Sequence, residues 1–409
     1  MSGRLRRHLP ALAGVGAAAM ALAACGSTTP STEASLVPAG LPAAQALPGS
    51  GGTWAVLAMG RHDDPQNTFG EVFYRSGCAV ASGCSGGPHW SLATPPGVAS
   101  NGGIMVAANP DGGLTTGFGV SLDLRFSPLA ETADAGSVWT GGILPVALAG
   151  VPDALAASGG TQRLALAAPA PVANGGVLVS TNDLLTWTRL AGRGAVASTA
   201  SAGGCVLGTL SAVAITAQGD DLVAGDCNGG GRAGIFRVGK AGRSVTVAAI
   251  GPPVHSADGA EVGVVRLVAT GGVLSVLVRQ GAGTRSWLEL ATSTDGGATW
   301  TVSAPFAADR PVSATAVTSS GGFVVLLGGA GRGEAAVVEP GLPWSALATP
   351  PVGTAVISYG AGDGAIEALV PSGSVLDVDR LGTTGWRRVQ ELQVPLQFGS
   401  TSAGGGSTG

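Results

Sequence analysis

The sequence predicts an all-β chain, a β-propeller of seven four-stranded units, and three observations predict it. Glycine is abundant and charge is scarce: 70 of 409 residues are glycine and 11% are charged, against about 25% charged in an average domain. Hydrophobic residues still make up 45% of the chain and the mean hydropathy is +0.38, so there is apolar area to bury and the composition is not that of a disordered chain. Tryptophans at 90, 139, 187, 300, 344 and 386 recur at intervals of 42 to 49 residues, with one gap of 113 that holds two periods. A repeat of this length with short strands and glycine turns is the signature of a propeller.

Residues 1–24 have the form of a secretory leader. Arg4, Arg6 and Arg7 precede an apolar stretch, Leu9 to Ala24, too short to span a bilayer comfortably. The leader ends Leu22-Ala23-Ala24-Cys25-Gly26. This resembles the lipobox of bacterial lipoproteins, which implies cleavage before Cys25, acylation of Cys25 (palmitate among its acyl groups) and an anchor on the outer face of the cytoplasmic membrane. Residues 25–51 are Ser, Thr, Pro, Ala and Gly without apolar periodicity, the composition of a tether; residues 399–409 form a similar tail. Loss of the leader's three arginines would take the formal charge from −4 to about −7. With Lys240 the only lysine, nothing resembles a basic face for nucleic acid.

Residues 52–398 carry the repeat. Its clearest copy is Ser293-Thr-Asp295-Gly-Gly297-Ala-Thr-Trp300, between the strand-like runs 286–292 and 301–306. Ser293 and Asp295 can turn their oxygens onto backbone N–H groups, Gly297 can take positive φ, and Trp300 can pack beneath the corner. The result is a hairpin with a stapled turn. Asp134, Gly136 and Trp139 repeat the spacing, and Ser180, Asn182 and Trp187 repeat it without the glycine. Looser copies end at Trp90, Trp344 and Trp386. A unit without a corner tryptophan is expected near 244–250, which brings the count to seven.

The octet resembles the Asp-box, or bacterial neuraminidase repeat, of sialidase-like propellers, Ser-x-Asp-x-Gly-x-x-Trp, and 293–300 matches every defined position. The resemblance implies the scaffold and a structural role for these residues. Sialidase activity would further imply an Arg-Ile-Pro segment, which is absent, and a Tyr nucleophile beside a Glu. The chain has two tyrosines, Tyr74 and Tyr359. Glu71 lies three residues from Tyr74, on the opposite face of a strand. Glu367 follows Tyr359 across Gly-Ala-Gly-Asp-Gly and could face it across a hairpin.

Beyond Cys25 an even number of cysteines remains, four, which in an exported chain reads as two disulfides in any of three pairings. Cys78 with Cys84 and Cys205 with Cys227 are favoured by their positions within single units, over a zinc site without histidines at ligand spacing. Asp220, Asp221 and Asp226 lack the alternation of a calcium loop and read as turn residues. His62, Asp63 and Asp64 form the most polar run, expected in a loop of the first unit. Serine-hydrolase elbows, phosphate loops and zincin helices are absent from the sequence. The reading is a monomeric, non-enzymatic, lipid-anchored envelope protein that binds a protein or glycan without cofactor or metal. An exo-sialidase or other glycoside hydrolase is the alternative, and a purely structural envelope protein is a third.

Overall fold

The computed structural model describes residues 44–49, 51–60, 68–77, 87–98, 104–118, 126–144, 154–160, 162–167, 176–181, 183–228, 232–241, 244–254, 261–282, 285–328 and 333–395. Cys25, His62, Asp63, Asp64, Cys78, Cys84 and Asn182, with the predicted leader and tail, lie outside them.

The fold is all-β. Among the described residues, strand pairing falls into seven successive antiparallel meanders of about four strands, spanning 44–92, 104–144, 154–192, 206–249, 261–307, 312–346 and 356–393. Within each, a strand pairs with the one before it, as short apolar runs joined by tight turns favour, except Phe306–Ala307, which returns to Arg285–Ser293. The fourth meander ends on Ser244–Ala249, paired with Gly234–Ala241, where the sequence places a unit without a corner tryptophan. The hairpin of the octet forms from Arg285–Ser293 against Thr301–Val302 and Phe306–Ala307.

Three features depart from the sequence expectation. The first strand, Ala44–Gly49, lies inside the stretch whose composition reads as tether. It pairs antiparallel with Gly52–Gly60 and parallel with Val312–Val317. Its Gln45, Ala46 and Leu47 are buried by those partners, which no local pattern announces. Secondly, the meanders are not all separate sheets. The pairing just given fuses the first and sixth into one eight-stranded sheet, and Cys227 and Asn228 against Val262 and Glu261 join the fourth to the fifth. An unpaired edge strand offers N–H and C=O groups to any neighbour, and here the neighbours take them. Thirdly, a helix, Arg193–Ala202, stands between the third and fourth meanders. Its residues are mostly Ala and Ser, with Val196 and Ala200 buried four apart on one face, a stripe too weak for hydropathy to reveal.

The core is layered between meanders. Trp54, Ile104, Leu114, Leu288 and Phe323 share one cluster, so residues of the first, second, fifth and sixth meanders pack together. Phe73, Trp90, Ile357, Leu369 and Leu376 share another, between the first and the seventh. Val196 and Ala200 of the helix pack with Cys205 and Cys227, which form a disulfide between the start of one strand and the interior of its neighbour.

Candidate functional site

The first strands of six meanders, with Ala361 and Gly362 beyond the first strand of the seventh, line a cavity of about 710 Å³. Residues from all seven line it, including Gln45, Met105, Leu155, Val213, Arg266 and Val317. A cleft of this size is in the range that holds small ligands, about 300–1,000 Å³. Its walls are chiefly Ala, Val, Leu and backbone. Among the described residues lining it, Arg266 is the one charged side chain.

Arg266 sits on Glu261–Thr270, just after a break in register between Val264 and Arg266 against Val278 and Leu277. Such a bulge re-aims the side chains beside it. Arg266 is half-buried, and among the described residues its Nε has no hydrogen-bond partner. Burial alone pushes its guanidinium down to about 10, with no carboxylate acting against that. The Oε1 of Gln45, a residue 3% exposed on the same cavity, is likewise unpartnered. Sequence reasoning passed over Arg266, although a lone cation inside Val264-Val-Arg-Leu-Val is a visible signal: a charge in a strand that is otherwise apolar.

The tyrosines are arranged differently from the sialidase expectation. Tyr359 pairs with Ile366, and Glu367 pairs with Ser358, so strand alternation turns Glu367 away from Tyr359. Glu367, 2% exposed, accepts from Trp90 Nε1 at 2.8 Å and from Arg380 Nη2 at 2.6 Å, and pairs with Arg75 Nε at 2.8 Å. Arg75, 1% exposed, also holds Asp363 through both terminal nitrogens, at 3.2 and 2.8 Å. Every oxygen of Glu367 is therefore engaged in joining the first and seventh meanders. Tyr74 packs on Trp54, ring centroids 4.6 Å apart. Burial raises the pKa of both phenols, with Glu339 and Asp363 adding to the effect at Tyr359. That is the wrong direction for a nucleophile. Glu71 is held by Thr94.

The corner residues form turns. Ser293 Oγ donates to Asp295 Oδ1 at 2.7 Å and accepts from Gly297 N at 2.8 Å, while Asp295 accepts from the side chain and the N–H of Thr299. These bonds, those of Thr299 foremost, hold the Asp295 carboxyl well below the usual carboxylate range. Thr132, Asp134, Gly136 and Val138 repeat the pattern. In the third meander Asp183 accepts from the N–H groups of Leu185 and Thr186. The position three before the tryptophan has positive φ in five meanders, at Gly87, Gly136, Leu184, Gly297 and Gly341. Leu184 adopts it without being glycine because it is buried against Gly142, where a Cβ would come within 2.4 Å of it.

The tryptophans do more than cover their own turns. Trp300 Nε1 donates to Ile250 O at 2.8 Å, Trp187 Nε1 to Ile143 O at 2.8 Å, and Trp386 Nε1 to Ala348 O at 3.1 Å. Each acceptor lies at or just beyond the last strand of the preceding meander, so each indole ties two meanders together. The Nε1 of Trp139 has no hydrogen-bond partner among the described residues. Trp300→Phe is expected to keep the fold and to cost about 1–2 kcal/mol in urea denaturation, because the Ile250 carbonyl loses its donor.

The acidic cluster separates into structural contacts. Asp220 pairs with Arg237, and Asp221 accepts from Gln162 at 2.7 Å. Burial pushes the Asp221 carboxyl up to about 6, against the bond from Gln162 and with the charge of Asp220 adding to the rise. Asp226 accepts from Thr209 at 2.6 Å.

No known family profile and no curated protein matches the sequence. Among solved structures, the chain is similar to a prolyl endopeptidase (12% identity, TM-score 0.44, 86% of this chain and 50% of that one). It is also similar to SapL1 lectin in complex with alpha methyl fucoside (14%, 0.42, 74% and 94%) and to the Cps50 (Swd1) β-propeller domain of Myceliophteria thermophila (15%, 0.44, 78% and 90%). The chain spans about half the length of the prolyl endopeptidase it matches. The last of these is a β-propeller domain.

Proposed function

We propose that the chain is a non-enzymatic, lipid-anchored envelope protein, a seven-bladed ring that binds a partner at the cavity and the loops around its mouth. The observation that carries the reading is the composition of the cavity: all seven meanders contribute to it, and among the described lining residues there is no Asp or Glu. Glycoside hydrolysis by acid and base needs a pair of carboxylates, and a Tyr nucleophile needs a carboxylate beside it. Glu367 is instead engaged by two arginines and an indole. Anchoring rests on the leader and on Cys25. The seven-bladed ring rests on the strand pairing and on the contacts between the first and seventh meanders. Among these, Trp90 N donates to Gln390 Oε1 at 2.8 Å and Gln390 Nε2 to Trp90 O at 2.7 Å.

The test has two readouts on the protein isolated from membranes. The mature N-terminus is expected to be Cys25 carrying acyl chains by mass spectrometry; an unmodified terminus at another residue overturns the anchor. No turnover of a fluorogenic sialoside is expected, and turnover lost in Tyr359→Phe or Tyr74→Phe would replace this reading with the hydrolase.

A further inference from the structure

We propose that the cavity is a binding site for a small organic anion with an apolar body, whose single acidic group pairs with Arg266. The inference rests on the reading of the cavity as a binding site, and names the chemistry of its ligand. A guanidinium without a counter-ion in an apolar enclosure is an incomplete arrangement, since a buried charge is ordinarily paired. Elsewhere this protein completes it: Arg75 holds Asp363 and Glu367, and Arg163 holds Glu131. Arg266 has no such partner among the described residues, and the strand breaks register beside it.

The rest of the cavity defines the ligand. A planar guanidinium presents its donors in a fork that fits a carboxylate, sulfonate or phosphate in two parallel hydrogen bonds. Gln45 adds a carboxamide on the same walls, with its Oε1 unsatisfied. Asn109 also lines the space, but its carboxamide is taken up by Glu131 and Thr115; what remains is apolar side chain, small hydroxyl or backbone. One cation can neutralise one anionic group. Walls of Leu47, Met105, Leu155 and Val213 favour hydrocarbon or aromatic surface in contact with them and leave few partners for a polyol. A monoanion with an apolar body meets both conditions, whereas a sugar or a polyphosphate meets neither.

The test uses two fluorescent probes with a common body. One is 8-anilinonaphthalene-1-sulfonate, and the other is N-phenyl-1-naphthylamine, which lacks the sulfonate. Titration of the full chain with the sulfonate is expected to saturate at one site. Arg266→Met is expected to weaken that binding at least tenfold, the effect of losing a charge-assisted hydrogen bond. The neutral probe should bind both proteins alike. Arg266→Lys, which restores the charge without the fork, should recover part of the affinity. A retained cooperative unfolding transition shows that each variant is folded. The proposal is overturned if Arg266→Met binds the sulfonate as tightly as the unsubstituted protein, if the two probes bind the unsubstituted protein equally, or if no saturable site is found. Sialoside turnover alongside charge-dependent probe binding would overturn the non-enzymatic reading and leave the anion site standing.

Discussion

Glu367→Ala is expected to lower stability by about 3–5 kcal/mol, the largest effect of any single substitution in this network. Glu367 and Arg75 are nearly inaccessible, at 2% and 1% exposure. Removing the carboxylate leaves the Arg75 guanidinium with Asp363 alone, deprives Trp90 of its acceptor, and frees Arg380. Most of the cost is the desolvation of partners that stay behind. The double substitution Arg75→Met, Glu367→Leu should therefore cost less than Glu367→Ala, and a thermodynamic cycle between the two positions should be strongly non-additive. Urea denaturation reads both; a loss under 0.5 kcal/mol for Glu367→Ala would mean that the network carries little of the fold. The same network is acid-sensitive. Burial pushes the Asp363 carboxyl up, but the hydrogen bonds from Arg75 and from the Ala365 N–H outweigh it, so the net shift is downward. A depressed carboxylate stabilises the fold fully above its unfolded-state value, about pH 4, and that stability is lost as pH falls through the lower, folded value.

The corners were legible in the sequence because they are local. Ser293, Asp295, Gly297 and Thr299 bond one another within a few residues, so composition and spacing state the turn outright. The disulfide between Cys205 and Cys227 was legible for a similar reason, since the two strands that carry it are neighbours in one meander. The network around Glu367 was not legible, because Arg75 and Glu367 are 292 positions apart and neither lies in a motif. Nor was the strand Ala44–Gly49, whose partner Val312–Val317 is equally remote and whose own Ala, Pro and Gly read as a linker. Leu184 shows the limit within a motif: the left-handed position survives without glycine because Gly142, on a neighbouring meander, makes the room.

Arg266→Met is expected to stabilise the protein by about 2 kcal/mol while it abolishes the charge of the cavity. The reasoning runs through the proton. Burial lowers the pKa of Arg266 from its ordinary value to about 10, which means that the unfolded chain holds this proton more tightly than the folded one. At neutral pH that difference opposes folding, by roughly 3 kcal/mol for a depression of this size, and partial exposure to solvent screens some of it. Methionine has a similar reach and no charge to desolvate, so the penalty disappears and the apolar contacts of the stem are kept. The gain should be constant from pH 6 to 9 and narrow as pH rises past about 10, where the folded protein releases the proton itself. Denaturation midpoints across that range measure it. A fall in stability on substitution would show that Arg266 is a structural cation with a partner, and would remove the physical basis for an anion site. A rise makes Arg266 a residue kept at a cost to the fold, which is how a group retained for binding differs from one retained for packing.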